Sequence, residues 1–136
     1  MKKIIYIDDE INTSTMDSKL DMIQLEVKNE IVKVESISGA LEKIDNLIQQ
    51  IGLIVLDIIM PHEETYTDAQ TNGGTTTGLE LLKDIRKKHP DVLIMIISIR
   101  RKSKIADIIE RYKVSAFLAK PISGTDIGKA IRQIIS

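Results

Sequence analysis

Short apolar runs alternate with amphipathic stretches along the whole chain. Lys3-Ile4-Ile5-Tyr6-Ile7 is β-branched and aromatic and predicts a first strand. Behind Asn12 or Thr13 as a cap, Met16, Leu20, Ile23 and Val27 recur at helical spacing and predict a first helix. Ile31 to Val34 predicts a short second strand and Ser36 to Gly39 a turn. Leu41, Ile44, Leu47 and Ile48 then predict a second helix closed near Gly52. The stretch Leu53-Ile54-Val55-Leu56-Asp57-Ile58-Ile59-Met60-Pro61 differs in kind: an apolar run enters a single acid, continues, and is stopped by proline. A continuous apolar run bounded by breakers is the pattern of a strand buried on both faces, and it leaves Asp57 at the strand's carboxyl end.

From Gly78 the order resumes. Leu79, Leu82 and Ile85 or Arg86 predict a third helix ending at His89-Pro90, because the residue before a proline is pushed out of helical geometry. Val92 to Ile97 predicts a fourth strand followed by Ser98. Ile105, Ile108, Ile109 and Tyr112 predict a fourth helix, and Ala116 to Ala119 a fifth strand running into Lys120-Pro121. Thr125 or Ser123 caps a fifth helix with Ile127, Ile131 and Ile134 on one face. Alternating strands and helices imply an α/β protein, a parallel sheet covered by helices on both faces. Right-handed crossovers leave few arrangements. The flavodoxin-like (βα)5 doubly wound sheet, strand order 2-1-3-4-5, is the expected one over a single domain spanning 1–136.

Residues 62–77 break the rhythm. This 16-residue segment has only Tyr66 and Ala69 as apolar residues, so it buries little and is expected as an inserted loop. His62 in it is an isolated histidine, and Thr75, Thr76 and Thr77 suit a helix cap or a loop.

Composition narrows the chemistry. The net charge of −1 favours neither nucleic acid nor an anionic membrane as partner. The chain has no cysteine, which removes disulfides, thiolate chemistry and Cys-ligated zinc, and its two histidines are too few for a His-rich metal site. Lys2 and Lys3 precede too short an apolar stretch for a signal peptide, and no apolar run approaches the ~20 residues of a membrane span. A cytoplasmic protein is expected.

In a sheet of this kind the strand carboxyl ends share one edge, where ligands collect. That edge receives Asp8 and Asp9 from the first strand, Asp57 from the third, Ser98 from the fourth and Lys120 from the fifth. Two like charges ~4 Å apart repel by about 4 kcal/mol at an effective dielectric near 20. Such an acidic cluster protonates or holds a cation, and oxygen-only ligands with room for water suit Mg²⁺. A capping role explains one of Asp8 and Asp9 but not both, because Asn12 and Thr13 already serve. A carboxylate nucleophile, a divalent cation, a lysine and a hydroxyl are together what phosphoryl transfer to an aspartate requires.

The chain resembles the receiver domain of two-component response regulators. The resemblance rests on Ile7-Asp8-Asp9-Glu10, Asp57-Ile58-Ile59-Met60-Pro61, Gly78-Leu79-Glu80-Leu81-Leu82, Ser98 and Lys120-Pro121, each at a strand end or helix start. It covers nearly the whole chain except residues 62–77. It implies Asp57 as phosphoacceptor, with Asp8, Asp9, Asp57 and the backbone carbonyl of Ile59 holding Mg²⁺. It further implies Lys120 as the phosphate-contacting lysine before a cis peptide bond, Ser98 as a switch hydroxyl and Phe117 as the rotating aromatic. The fourth helix, fifth strand and fifth helix would form the output face. Partners would be a histidine kinase or phosphotransfer protein and a downstream protein, with the chain a monomer or a phosphorylation-dependent dimer. The expected role is a stand-alone regulatory switch, since the sequence ends at Ser136 soon after the fifth helix. It is not expected to be an enzyme, because it assists only its own phosphorylation and dephosphorylation.

Three features depart from the family pattern: the length of 62–77, a bulky Ile99 where a small residue is usual, and the pair Ile59 and Arg100 at positions that tune phosphate loss. An apolar Ile59 would help to exclude the attacking water, and Ile99 would slow access to the phosphate pocket. The basic run Arg100, Arg101, Lys102 and Lys104 reads equally as a solvated loop or a recognition patch. Competing readings are a degenerate receiver serving as a docking module, a haloacid-dehalogenase-type phosphatase, and an FMN binder. The last two lack, respectively, a well-matched D-x-D pattern and glycine after the first strand.

Overall fold

The computed structural model describes residues 1–58, 77–99 and 106–135, excepting the Ile108 side chain. Five parallel strands lie in one sheet of order β2-β1-β3-β4-β5. They are β1 (Lys3–Ile7), β2 (Ile31–Val34), β3 (Ile51–Leu56), β4 (Ile94–Ser98) and β5 (Ala116–Ala119). The helices are α1 (Ser14–Glu26), α2 (Ile37–Leu47), α3 (Thr77–Lys88), α4 (Ala106–Arg111) and α5 (Gly124–Ile135), with one 3-10 turn over Ile48–Gln50. This is the doubly wound flavodoxin-like arrangement expected from the alternation of elements.

The strands alternate their side chains between two cores. On one face Ile5, Ile7, Ile54, Leu56, Ile94 and Ile96 meet α2 and α3 through Ile37, Ile44, Leu82 and Ile85, with Ile109 of α4 against them. On the other, Ile4, Tyr6, Leu53, Val55, Met95 and Ile97 meet α1 and α5 through Met16, Leu20, Ile23, Ile127 and Ile131. Because β1, β3 and β4 are covered on both faces, they read as unbroken apolar runs.

Caps set the helix starts. Thr13 accepts from the Met16 amide at 3.3 Å and begins α1. Ser36 accepts from the Gly39 amide at 3.1 Å, so the expected turn from Ser36 to Gly39 is instead the cap and first residues of α2. Ser123 accepts from the Asp126 amide at 3.1 Å and caps α5. Gly52 does not close α2 as expected. That helix ends at Leu47, and Gly52 lies inside β3 where the register steps from Lys3↔Ile51 to Ile4↔Leu53. The glycine is the extra residue of a bulge, which a helix-stop reading mistakes for punctuation. Val92 falls outside β4 and Ser98 inside it.

Helices α1 and α5 touch at backbone distance. A Cβ on Gly124 would fall on the Lys19 carbonyl oxygen, and one on Gly128 would press on the Glu26 side chain. Arg132 of α5 pairs with Glu26 of α1 at 2.8 Å across the same seam. Gly124→Ala is therefore expected to destabilise the fold by about 1–3 kcal/mol through overpacking. Leu25→Ala, at a position 84% exposed on α1, should fall within about 0.5 kcal/mol of wild type. Urea unfolding of the two variants measures the difference.

Candidate functional site

Asp8, Asp57 and Lys120 lie one step beyond β1, β3 and β5 at the carboxyl edge of the sheet, Asp9 two steps beyond β1, and Ser98 is the last residue of β4. The backbone ladder continues to them. The Asp8 amide donates to the Val34 carbonyl at 3.0 Å, the Asp57 amide to the Ile7 carbonyl at 3.0 Å, and the Lys120 amide to the Ser98 carbonyl at 2.9 Å. Hydrogen bonds between neighbouring strands thereby fix the positions of three site residues.

Asp8 and Asp57 are buried, at 2% and 8% exposure, while Asp9 is exposed. One carboxylate oxygen from each of Asp8, Asp9 and Asp57 lies within 4.8 Å of the others. Lys120 reaches into this trio, its Nζ 3.1 Å from Asp57 Oδ2 and 3.6 Å from Asp8 Oδ2. Asp8 Oδ1 accepts the Glu10 amide at 2.9 Å, which fixes the start of the β1–α1 loop. The Lys120–Pro121 peptide bond is cis, as the resemblance implied.

The electrostatics follow from this crowding. Burial opposes the charged form of Lys120, but the Asp57 and Asp8 carboxylates outweigh it and hold the ammonium above the usual lysine range. Asp9 is raised by burial and then by the neighbouring charges of Asp8 and Glu10. Tyr6 lies on the same strand face two residues before Asp8. Burial, then Asp8 and Asp57, push its phenol well above the ordinary tyrosine range, so it stays neutral. The donor set fits a hard divalent cation: oxygens only, held close together, with Asp9 leaving one side open to water.

Strand alternation divides the site between the two faces. Asp8, Asp57 and Lys120 continue the rows of Tyr6, Val55 and Leu118, on the side of α1 and α5. Ser98 continues the row of Ile96, which pairs with Phe117, on the side of α2, α3 and α4. Ser98 is fully buried and Phe117 half-buried against that core. Ile99 is 66% exposed. The Ile59 carbonyl, Met60, Pro61, the segment 62–76 with His62, the basic run from Arg100 to Lys104, and Ile105 lie outside the described residues.

Two residues acquire a role that the sequence pattern did not reveal. Thr77, assigned by pattern to the loop, is the first residue of α3 and is fully buried. Gly78 donates its amide to the Ile58 carbonyl at 2.7 Å, and a Cβ there would fall on the Asp57 carbonyl oxygen. The start of α3 therefore rests directly on the peptide of the central acid, and only glycine permits that approach. A glycine opening an amphipathic helix after a loop was the visible signal, but its contact is three-dimensional.

Because the fold raises the Asp9 pKa, the ionised Asp9 opposes folding, and the cost is relieved as pH falls through that raised value. Asp9→Asn is thus expected to raise the thermal midpoint of the metal-free protein near pH 7, with the gain shrinking toward pH 4. It should also remove most of the stabilisation that millimolar Mg²⁺ gives wild type. Thermal unfolding with and without Mg²⁺ across pH 4–8 tests both signs.

Among curated proteins no match was found. Solved structures share the fold at low identity. A CheY-like receiver domain protein from Methanospirillum hungatei JF-1 is 22% identical, with 98% of this chain and 92% of that chain covered and a TM-score of 0.73. A receiver domain protein from Clostridium thermocellum is 20% identical, covering 99% and 94% with a TM-score of 0.76. A LuxR-family DNA-binding response regulator from Staphylococcus aureus is 22% identical over 100% of each chain, with a TM-score of 0.74. The model of the response regulator receiver domain family matches residues 4–132, and the chain belongs to that family.

Proposed function

We propose that this domain is a phosphorylation-dependent switch in which Asp57 accepts a phosphoryl group from a phosphohistidine donor. The observation that carries this reading is the convergence of Asp57 with Asp8 and Lys120 at one sheet edge, with Asp9 completing the acidic trio. An Asp57 oxygen forms the new P–O bond while the P–N bond to the donor imidazole breaks, and the electron pair leaves with the ring nitrogen. Lys120, already 3.1 Å from Asp57, is placed to take up charge on the transferred group's oxygens. Ser98 supplies a hydroxyl at the end of β4, and Phe117 lies one pleat behind it on the same face. Asp8, Asp9, Asp57 and the Ile59 carbonyl would hold Mg²⁺, which when bound neutralises charge on the phosphoryl oxygens.

The donor is a histidine kinase or phosphotransfer protein, and the response is read by a downstream protein on α4, β5 and α5. The domain is regulatory, acting on its own phosphoryl group and not turning over a separate substrate. We place it in the cytoplasm, as a monomer or a phosphorylation-dependent dimer, with the segment from 62 up to the start of α3 at Thr77 as an insertion within a single domain over 1–136. Among the described residues no helix is long and apolar enough to cross a membrane. A docking module with a vestigial pocket would have no need to keep buried acids beside a lysine.

Asp57→Asn should abolish Mg²⁺-dependent phosphoryl uptake from acetyl phosphate while leaving the fold intact. Lys120→Met should lower uptake by about a hundredfold, the loss typical of one preorganised charge-stabilising donor. Radiolabel incorporation into the three proteins decides the matter, and labelling of Asp57→Asn at the wild-type level would refute the assignment.

A further inference from the structure

The strand β2 ends the sheet and pairs with β1 alone. In a parallel pair, alternate residues of each strand point their amide and carbonyl at the neighbour. The Ile4 amide donates to the Glu30 carbonyl at 2.8 Å and the Asp8 amide to the Val34 carbonyl at 3.0 Å, with Ile4 level with Ile31. Glu30, Val32 and Val34 therefore face β1, while Ile31 and Lys33 turn their N–H and C=O outward. Among the described residues no hydrogen bond uses those outward groups.

Beside this edge, between β2 and α1, runs a groove of about 410 Å³. Leu20 and Ile31 form its apolar floor, Asp17, Asp21 and Gln24 its helical wall, and Lys33 stands on the strand side. Both ends of the strand are tied. Asn29 Nδ2 donates to the Lys2 carbonyl at 2.7 Å, and Lys3 pairs with Glu30 at 3.0 Å. Gln24 Nε2 donates to the Val27 and Asn29 carbonyls at 2.8 and 3.0 Å. Beyond Val34, Glu35 accepts from Asn12 Nδ2 at 3.0 Å. The edge is thus held in strand geometry before any partner arrives, which lowers the ordering cost of binding.

Charge selects the occupant. Asp17 and Asp21, one turn apart on α1, are exposed, and among the described residues neither is in an ion pair. Lys33 sets one positive charge against their two negative ones, so the groove is acidic. The lysine discourages indiscriminate pairing at the edge, while the acids still favour a basic strand. Side chains alternate along a strand, so an added strand places every second residue over the groove and the others beside Val32, which packs on the opposite face. We propose that β2 is a docking edge for an extended segment of a partner protein that alternates basic and apolar side chains. Its backbone pairs with Ile31 and Lys33, and its basic side chains meet Asp17 and Asp21.

The test adds an alternating Lys-Val hexapeptide, with a Glu-Val hexapeptide as control, and follows backbone amides by NMR and hydrogen exchange. The Lys-Val peptide should slow exchange at Ile31 and Lys33 at least about fivefold and leave Val32 and Val34, already bonded to β1, unchanged. Lys33→Pro removes an outward amide without touching the β1 ladder and should abolish the effect. Asp17→Asn combined with Asp21→Asn, both on the exposed face of α1, should weaken binding about tenfold at low salt. Shifts at Asp17 and Asp21 without slowed exchange at Ile31 and Lys33 would mean charge contact alone and overturn strand addition, as would equal binding of the Glu-Val peptide. Protection of those two amides that grows with protein concentration in the absence of peptide would assign the edge to a second copy and also overturn the proposal. Asp57→Asn should bind the peptide as wild type does, which keeps this outcome separate from the phosphoacceptor reading.

Discussion

Three carboxylates with oxygens within 4.8 Å of one another, two of them buried, set the constraint on which the site depends. Each close pair repels by about 4 kcal/mol at an effective dielectric near 20, and a single lysine cannot cancel three charges. The fold meets this by extending its own ladder. The amides of Asp8, Asp57 and Lys120 are each bonded to the carbonyl of a neighbouring strand, so the acids cannot drift apart without breaking sheet hydrogen bonds. Lys120 then bridges Asp57 and Asp8, and Asp9, facing water, carries the excess. The arrangement is stable enough to fold and still short of positive charge, the condition in which a divalent cation gains most by binding.

The same edge divides the site residues between the two faces of the sheet. The acids and the lysine belong to the sheet face covered by α1 and α5, and Ser98 and Phe117 to the face covered by α2, α3 and α4. The α1–α5 seam has backbone against backbone at Gly124 and an ion pair between Glu26 and Arg132. That side has little room to adjust. On the other side Ile109 and Tyr112 pack only partly buried against the core.

The fold was legible because its cause is local. A strand buried on both faces has to be apolar throughout, so β1, β3 and β4 announce themselves, and each acid or hydroxyl that follows is conspicuous. Asp8 and Asp57 were visible for that reason, while Ser98 and Lys120, the latter after the half-buried β5, gained their place from the company they keep. What stayed hidden depends on distance in space. Gly52 looks like a helix stop and is a bulge, since only pairing with Lys3 and Ile4 shows the extra residue. Ser36 looks like turn punctuation and is a cap. Arg86 looks like one more charge on an amphipathic helix, because backbone carbonyls leave no trace in a sequence. Tyr6 passes as a β-forming aromatic until the acids next to it are in view.

Magnitudes indicate how such a switch can be both quiet and responsive. Moving a two-state equilibrium from 1:99 to 99:1 takes about 5.5 kcal/mol of differential interaction. One or two charge contacts made in only one state, at about 4 kcal/mol each near this edge, are of that order. A phosphoryl group on Asp57 would add negative charge beside Lys120 and acceptor oxygens within the neighbourhood of Ser98, so the required energy is available without any large rearrangement of the sheet. The compliant element must then be weak enough to move for that energy, yet anchored so that its motion has direction. Arg86 ties the carbonyls just past α4 to those of the α3–β4 connection, which fastens that end of the face to the sheet.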